Sequence, residues 1–241
     1  MPDPAAPRTF ATTRWTLIVE AADAGSPRHD AALAALCETY WRPVYGFIRR
    51  SGRQPDEARD LTQAFFVRVL EKGFFKEADR SRGRFRSFLF SSVRHFLANQ
   101  HDFAVAQKRG GGAPVLSLEF DDGERRYSLE PADPGTPEKT YERGWALAVL
   151  DAAHARLKAR YESTGRSELF ARLTPFLTGD EPPSYAELAA SGGGTSGQLR
   201  VAVHRLRQDY GRALRETIGE TVEKPEDVDD ELRYLLEVIA A

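Results

Sequence analysis

Apolar residues recur at intervals of three and four along the first half of the chain, the spacing of helices that bury one face. Three such runs are present: Leu33, Leu36, Cys37, Tyr40, Trp41, Val44, Phe47 and Ile48; Ala58, Leu61, Phe65 and Val69; and Phe85, Phe88, Leu89, Val93, Phe96 and Leu97. We expect Pro43 to kink or divide the first helix and Pro55 to open the second. The pattern predicts a domain of three helices.

Helical periodicity is absent between residues 110 and 136, where glycine, proline and acidic residues accumulate. This composition is typical of a linker. Within it, alternating apolar residues at Leu116, Leu118 and Phe120 precede an Asp-Asp-Gly turn sequence. That part of the pattern favours a short β-hairpin over residues 115–129.

Helical spacing returns over residues 141–177 and 199–214. Between these runs, Ser184-Tyr-Ala-Glu187 has the form of a helix-capping box, and three glycines at 192–194 permit a tight turn. We expect Ser196 to cap the longer helix that follows. A short helix, a glycine turn and a long basic helix form a helix-turn-helix pattern. The whole sequence therefore predicts an all-α protein of two helical domains joined by a flexible linker.

The second helix of this motif carries side chains that fall away from its apolar stripe. They are Gln198, Arg200, Val201, His204, Arg207 and Gln208. Arginine and glutamine donate hydrogen bonds to base edges and phosphates, so this face suits a DNA major groove. A solvated basic face on an ordinary helical hairpin fits the same pattern equally well.

The formal net charge of -2 conceals strong local asymmetry. Residues 80–109 contain seven arginines and lysines against the single acid Asp102, residues 200–215 are again basic, and residues 216–241 are rich in acids. Phenylalanines interleave with the first basic block, an arrangement that suits single-stranded DNA. Helical spacing assigns most of these rings to the core, which leaves Phe90 and Phe103 as candidates for base stacking.

Enzymatic sites are not indicated. The five histidines are scattered without metal-ligand spacing, and the glycine runs lack the context of a phosphate loop. Cys37 is the only cysteine, which excludes a disulfide framework and favours buried packing over a reactive thiol. No apolar run has membrane-spanning length and the N-terminus lacks a signal core, so we expect a cytoplasmic protein with no catalytic residue, cofactor, metal or membrane partner.

Several stretches in a fixed order resemble the extracytoplasmic-function (ECF) sigma factors of RNA polymerase. They are Ala58-Arg-Asp-Leu-Thr-Gln-Ala-Phe-Phe66, Arg84-Phe-Arg-Ser-Phe-Leu89, Tyr185-Ala-Glu-Leu-Ala189 and His204-Arg-Leu-Arg207. The chain is most similar to the ECF-like group common in planctomycetes, which it also resembles at residues 12–15, 108–112 and 228–233.

The resemblance implies a sigma region 2 domain at residues 28–109, a linker at 110–136 and a region 4 domain at 137–219, with extensions at 1–27 and 220–241. The implied partners are core RNA polymerase and promoter DNA. Contacts to core polymerase are expected from Asp56, Asp60, Gln63 and Arg68. Contacts to the minus-ten DNA are expected from Arg82, Arg84, Arg86, Phe90, Arg94, His95, Asn99 and His101. Contacts to the minus-thirty-five DNA are expected from Ser196, Gln198, Arg200, Val201, His204, Arg205, Arg207 and Gln208.

Two departures from the family matter. Ala202 stands where members usually place a DNA-contacting arginine, so the promoter sequence does not follow from the resemblance. The acidic extension is an addition, and we expect Leu232, Leu235, Leu236 and Ile239 to form an amphipathic helix that docks on the protein itself while nearby acids screen a basic DNA face. A separate anti-sigma protein is the other regulatory partner considered.

A helix-turn-helix regulator or adaptor that does not start transcription is the alternative function. Such regulators usually dimerise to match a palindromic operator. They have no need of the helix at residues 60–63 followed by a segment rich in arginine and phenylalanine. The first domain therefore favours the sigma factor.

Overall fold

The computed structural model describes residues 16–23, 25–70, 74, 84–99, 120–129, 135–178, 182–192, 194–222 and 224–241. Throughout this part of the chain the regular elements are helices, which confirms the predicted all-α class. They are α1 (Thr16–Ala22), α2 (His29–Arg50), α3 (Pro55–Leu70), α4 (Phe85–Ala98), α5 (Phe120–Leu129), α6 (Pro137–Ser163), α7 (Ser167–Leu173), α8 (Pro175–Thr178), α9 (Tyr185–Ala190), α10 (Ser196–Gly219) and α11 (Asp227–Ala240). None of these described helices is long and apolar enough to cross a membrane.

The chain divides into two compact units. Unit 1 comprises Met1–Ala148 together with Ile218–Ala241, and unit 2 comprises Val149–Thr217. The C-terminal helix α11 thus belongs to the same unit as α2, α3 and α4. The expected boundaries at residues 109, 136 and 219 stay a prediction.

Helix α2 forms the centre of unit 1 and contacts α1, α3 and α5. Its inner face is Tyr40, Val44 and Ile48, each at most 1% exposed. Pro43 does not divide this helix, which runs through 22 residues without interruption. Cys37 is 2% exposed, and burial raises the pKa of its thiol to about 12, so it packs as a small apolar residue.

An aromatic core joins α4 to α2 and α3. The ring centroids of Phe65 and Phe96 are 5.5 Å apart, and those of Tyr40 and Phe85 are 5.2 Å apart. Edge-to-face pairs of this kind are favoured by the ring quadrupoles. The helical stripes of the sequence therefore meet as predicted, and they hold α4 with one face inward and one face outward.

Residues 120–129 form helix α5, so the prediction of a hairpin is wrong over this stretch; residues 115–119 lie outside the described residues. The helix places Phe120, Glu124 and Tyr127 on one face at spacings of four and three. Phe120 packs between Trp41 and Tyr45, with ring centroids 5.3 and 5.6 Å away. Tertiary contact with α2 thus outweighs the local turn signal.

Unit 2 has its own core, formed by the C-terminal part of α6 with α7, α9 and α10. Leu157, Leu173 and Leu206 are at most 1% exposed. Phe176 and Tyr185 stack with ring centroids 5.1 Å apart, next to the start of α9. These contacts position α9 and α10, which carry the predicted helix-turn-helix.

Candidate nucleic-acid interface

The outer face of α3 carries the residues expected to contact polymerase. Asp56, Asp60 and Arg68 are exposed and Gln63 is half-buried. At about 100° per residue, Asp56, Asp60 and Gln63 fall within about 60° of one another, whereas Arg68 lies about 80° to the side of Asp60. The helix therefore presents one compact acidic and amide face, with Arg68 at its margin.

Thr62 is a buried polar residue on the opposite side of α3. Its side chain is completely buried and its hydroxyl donates to the Ala58 carbonyl at 2.7 Å. Because this bond satisfies the hydroxyl within the helix, the polar residue costs little at a core position.

The residues expected to contact the minus-ten DNA divide between the two faces of α4. Arg94, His95 and Asn99 are exposed on its outer side. Phe90 is half-buried, with its ring centroid 5.2 Å from that of Phe47 and 5.0 Å from that of Tyr141. Its ring therefore packs against other rings of unit 1, and its expected role in base stacking stays a prediction. Arg82, His101 and the further stacking candidate Phe103 lie outside the described residues.

The remaining two members of that set, Arg84 and Arg86, are held by the C-terminal helix. The Nε atom of Arg86 donates to Oε1 of Glu231 at 2.7 Å. The Nε atom of Arg84 lies 2.7 Å from Oε2 of the same carboxylate, an ion pair whose angle is outside that of a hydrogen bond. We call these three residues, together with Trp145 and Tyr234, the arginine clasp.

The two aromatic rings enclose the Arg86 guanidinium. Its Cζ atom is 4.8 Å from the ring centroid of Trp145 and 4.0 Å from that of Tyr234. Arg86 as a residue is only 9% exposed, and the Tyr141 hydroxyl donates to its backbone carbonyl at 3.0 Å. A desolvated cation between two π faces is stabilised by both rings, so this side chain is fixed in one position.

Charges inside the arginine clasp alter its titration. Burial acts to lower the pKa of Arg86, but the hydrogen bond and charge of Glu231 outweigh it and the pKa is raised. Burial also raises the pKa of Tyr234 to about 12. Arg86 therefore stays charged and Tyr234 stays neutral across the neutral range.

Sequence reasoning did not single out Glu231, although a signal exists. Glu231 falls on the same face of α11 as Val228 and Leu235, which are 8% and 0% exposed. A carboxylate within an apolar stripe indicates a buried cation as its partner. Of the leucines expected to face the protein, Leu235 does so, whereas Leu236 is 58% exposed.

A second ion pair missed by the sequence analysis fixes α5 on α2. Arg49 donates from Nε to Oε2 of Glu124 at 2.8 Å and from a terminal nitrogen to Oε1 at 2.9 Å, and the Tyr45 hydroxyl donates at 2.6 Å. The bidentate Arg49 bond is the largest cause of the lowered pKa of Glu124. A Cβ atom on Gly123 would lie 2.8 Å from the Trp41 ring, so the two helices approach too closely for any side chain there.

Each helix of the motif, α9 and α10, begins with a capping box. Ser184 and Glu187 exchange the predicted pair of bonds, at 3.2 and 2.8 Å. At the start of α10, however, Thr195 is the capping residue: its hydroxyl accepts from the Gln198 N–H at 3.3 Å, and the Gln198 side chain accepts from the Thr195 N–H at 2.9 Å. The expectation that Ser196 caps this helix is wrong.

Ser196 instead connects the two helices of the motif, because its hydroxyl donates to the Tyr185 carbonyl at 3.3 Å. Gly192 and Gly194 have φ angles of +93° and +121°, a backbone region that favours glycine. The glycine turn is therefore used as the sequence predicts.

The outer face of α10 is centred on Val201, which is 51% exposed. His204, Arg205 and Gln208 are also exposed, and Val201, Arg205 and Gln208 fall within about 60° of one another. This face joins a cation, an amide and an apolar side chain, the groups that contact phosphates, base edges and thymine methyls.

Arg200 and Arg207 lie at the flank of that face. The Cζ atom of Arg200 is 5.4 Å from the ring centroid of Tyr185, and a terminal nitrogen of Arg207 donates to the Phe176 carbonyl at 3.2 Å. Both side chains are exposed, yet both also contact the rest of unit 2. Arg212 is exposed on the outer face one turn beyond Gln208 and was not singled out from the sequence.

Comparison with known protein families gives a match over the N-terminal helices. The family described as sigma-70 region 2 matches residues 36–101, which include α3, α4 and most of α2. The ECF RNA polymerase sigma factor SigE of Mycolicibacterium smegmatis is 26% identical over 200 residues. The match covers 83% of this chain and 66% of that protein, just under two thirds of its length. No solved structure matches the chain at a significant level.

Proposed function

We propose that this chain, an ECF-type sigma factor with sigma-70 region 2 at residues 36–101, directs core RNA polymerase to promoters and starts DNA-templated transcription there. The observation that carries the proposal is the order of its parts. A region 2 unit with an acidic helix face precedes a helix-turn-helix whose outer face is cationic. The grouping with the planctomycete ECF-like proteins stays a prediction.

Core polymerase would bind the outer face of α3. Asp56, Asp60 and Gln63 form a compact polar patch whose carboxylates suit a basic surface on the partner. Arg68 would contact the partner at the edge of that patch. Rim charges of this kind chiefly set the association rate and its salt dependence.

Promoter DNA would bind the outer faces of α4 and α10. Arg94, His95 and Asn99 would contact the minus-ten strand, and Val201, Arg205 and Gln208 the bases of the minus-thirty-five element. The side chains of Ser196 and Gln198 and the Gln198 N–H are engaged in the turn, so flanking residues would make the phosphate contacts there.

The role proposed is one of binding and positioning, in the cytoplasm, with the chemistry of RNA synthesis left to the polymerase. An anti-sigma protein would act by covering α3 or the DNA-contacting faces. No group of three or more potential metal ligands converges among the described residues.

Run-off transcription with cognate core polymerase on a promoter library tests the proposal. We expect specific transcripts only when the protein is present, and we expect Asp60→Ala to abolish them by removing core binding. Glu57→Ala is the matched control on the same helix, because Glu57 is exposed and pairs with Arg53 at 2.6 Å. Sequence-specific DNA binding without any transcript would instead favour the regulator or adaptor.

A further inference from the structure

Glu231 differs from the other acids of α11 in its burial. Asp229, Asp230 and Glu237 are exposed, as expected of a solvated acidic extension, whereas Glu231 is 1% exposed. Burying a carboxylate is costly unless cations compensate it. The position of Glu231 is therefore determined by Arg84 and Arg86.

Those two arginines sit where a helix disfavours cations. Arg84 is the N-cap residue of α4 and Arg86 lies in the first turn, which contains no acid and receives no side-chain cap. The helix dipole adds partial positive charge at this end. The start of α4 thus requires an anion, and the Glu231 carboxylate occupies that position at 2.7 Å from each Nε atom.

We propose that Arg84, Arg86 and Trp145 form a binding site for single-stranded nucleic acid, which Glu231 occupies in the free protein. A phosphate replaces the carboxylate when α11 leaves, since arginine binds both anions with the same planar donors. This inference rests on the proposed function, and it makes α11 an internal competitor of promoter DNA.

The aromatic rings of the arginine clasp supply the second half of the site. Tyr234 belongs to α11 and would leave with it, whereas Trp145 belongs to α6 and would remain. Removal of Tyr234 uncovers one side of the Arg86 guanidinium, which lies 4.0 Å from that ring. A guanidinium beside a tryptophan ring is the combination that binds a phosphate and stacks a base.

The attachment of α11 is narrow enough to be reversible. Its buried anchors are Val228, Glu231 and Leu235. The other residues of its inner side are half-buried, and the exposed positions include Asp229, Asp230, Leu236 and Glu237. The charged contact at its centre is also the one that a polyanion displaces. Docking of α11 and binding of the nucleic-acid strand are therefore mutually exclusive, because both need the guanidinium groups of Arg84 and Arg86.

Binding of fluorescein-labelled oligodeoxythymidylate to the full-length protein, measured by anisotropy over a range of KCl concentrations, tests the site. If the open form of the wild type is a minor state of up to about 10%, Glu231→Gln should bind about tenfold tighter or more. The slope of log affinity against log salt should steepen by about 0.7 for each phosphate gained, or about 1.4 for two arginines. The control Glu237→Gln removes the same charge from an exposed position of α11 and should bind as the wild type does.

Equal affinity and slope for Glu231→Gln and Glu237→Gln, with both proteins folded by circular dichroism, would overturn the proposal, and so would an absence of binding by every form. Should Glu231→Gln fail to fold, hydrogen exchange of the wild type decides the question. Saturating oligonucleotide must then accelerate exchange over residues 227–240, and unchanged or slower exchange rejects the exchange of α11 for DNA.

The run-off assay separates this inference from the proposed function. A gain in oligonucleotide binding without transcription by any form removes the sigma factor function and leaves the nucleic-acid site standing. Normal transcription by the wild type with no effect of Glu231→Gln on the oligonucleotide removes the site alone.

Discussion

The geometry of the arginine clasp predicts how the free energy of unfolding changes when Arg86 and Glu231 are replaced, separately and together. Removing one partner of a buried ion pair costs about 3–5 kcal/mol, because the other charge stays buried without compensation. Arg86→Met leaves Glu231 beside Arg84, whose side chain is 33% exposed, so we expect a loss near the low end, about 3 kcal/mol.

Glu231→Leu should cost up to about 5 kcal/mol, since Arg86 then lies between two rings without its main counter-ion. This loss cannot exceed the free energy with which α11 docks on unit 1, because once α11 detaches, water reaches Arg86 and solvates its charge. The double variant replaces the pair with apolar side chains of similar volume and should lie within about 1 kcal/mol of the wild type. The coupling energy is then several kcal/mol and favourable.

Urea unfolding followed by far-ultraviolet circular dichroism measures these differences. Arg94→Met, an exposed change on the same helix, is the control and should shift stability by less than about 0.5 kcal/mol. If the two single losses simply add in the double variant, the buried pair does not hold α11 and the energetic reasoning fails.

Three further predictions concern α5 and the capping of α10. Gly123→Ala should destabilise unit 1 by about 1–3 kcal/mol, since its Cβ would lie 2.8 Å from the Trp41 ring; unchanged urea unfolding would refute this. The folded-state pKa of Glu124 lies below the usual 4.5, so its bond to Arg49 stabilises fully above about pH 5 and is lost as pH falls through the folded pKa. Thermal unfolding should therefore lose acid sensitivity in Glu124→Gln, and an unchanged profile would contradict the assignment. Thr195→Ala should lower the free energy of unfolding by about 0.5–2 kcal/mol, because the cap of α10 is lost. If Thr195→Ala lowered the melting temperature less than Ser196→Ala does, Thr195 would not be the capping residue.

Periodicity predicted helices where local pattern and packing agree. The inner stripe of α4, including Phe85, Leu89 and Val93, is buried as its spacing of three and four requires. The capping box at Ser184 also forms as written, because its bonds join residues three apart. Such features depend on near neighbours, which a sequence displays directly.

Prediction failed where a distant contact outweighed a local signal. The apolar alternation ending at Phe120 favours a strand, yet Trp41 and Tyr45, about eighty residues earlier, pack against a helix. Thr195 and Ser196 are both good capping residues, and the choice between them followed from the bond of Ser196 to the Tyr185 carbonyl. Neither partner is visible in the local sequence.

The sequence by itself determined the all-α class, the cationic outer face of α10 in the helix-turn-helix and the resemblance to ECF sigma factors. Each of these depends on residue type and short-range spacing. Only the tertiary structure decided which charges are available to a partner. Arg86 and Arg94 belong to the same basic block and cannot be distinguished by residue type. In the structure, Arg86 is 9% exposed and is bonded to Glu231, whereas Arg94 is exposed to solvent. The physical reason is that a charge becomes buried only through a counter-charge supplied by another part of the chain, here 145 residues away.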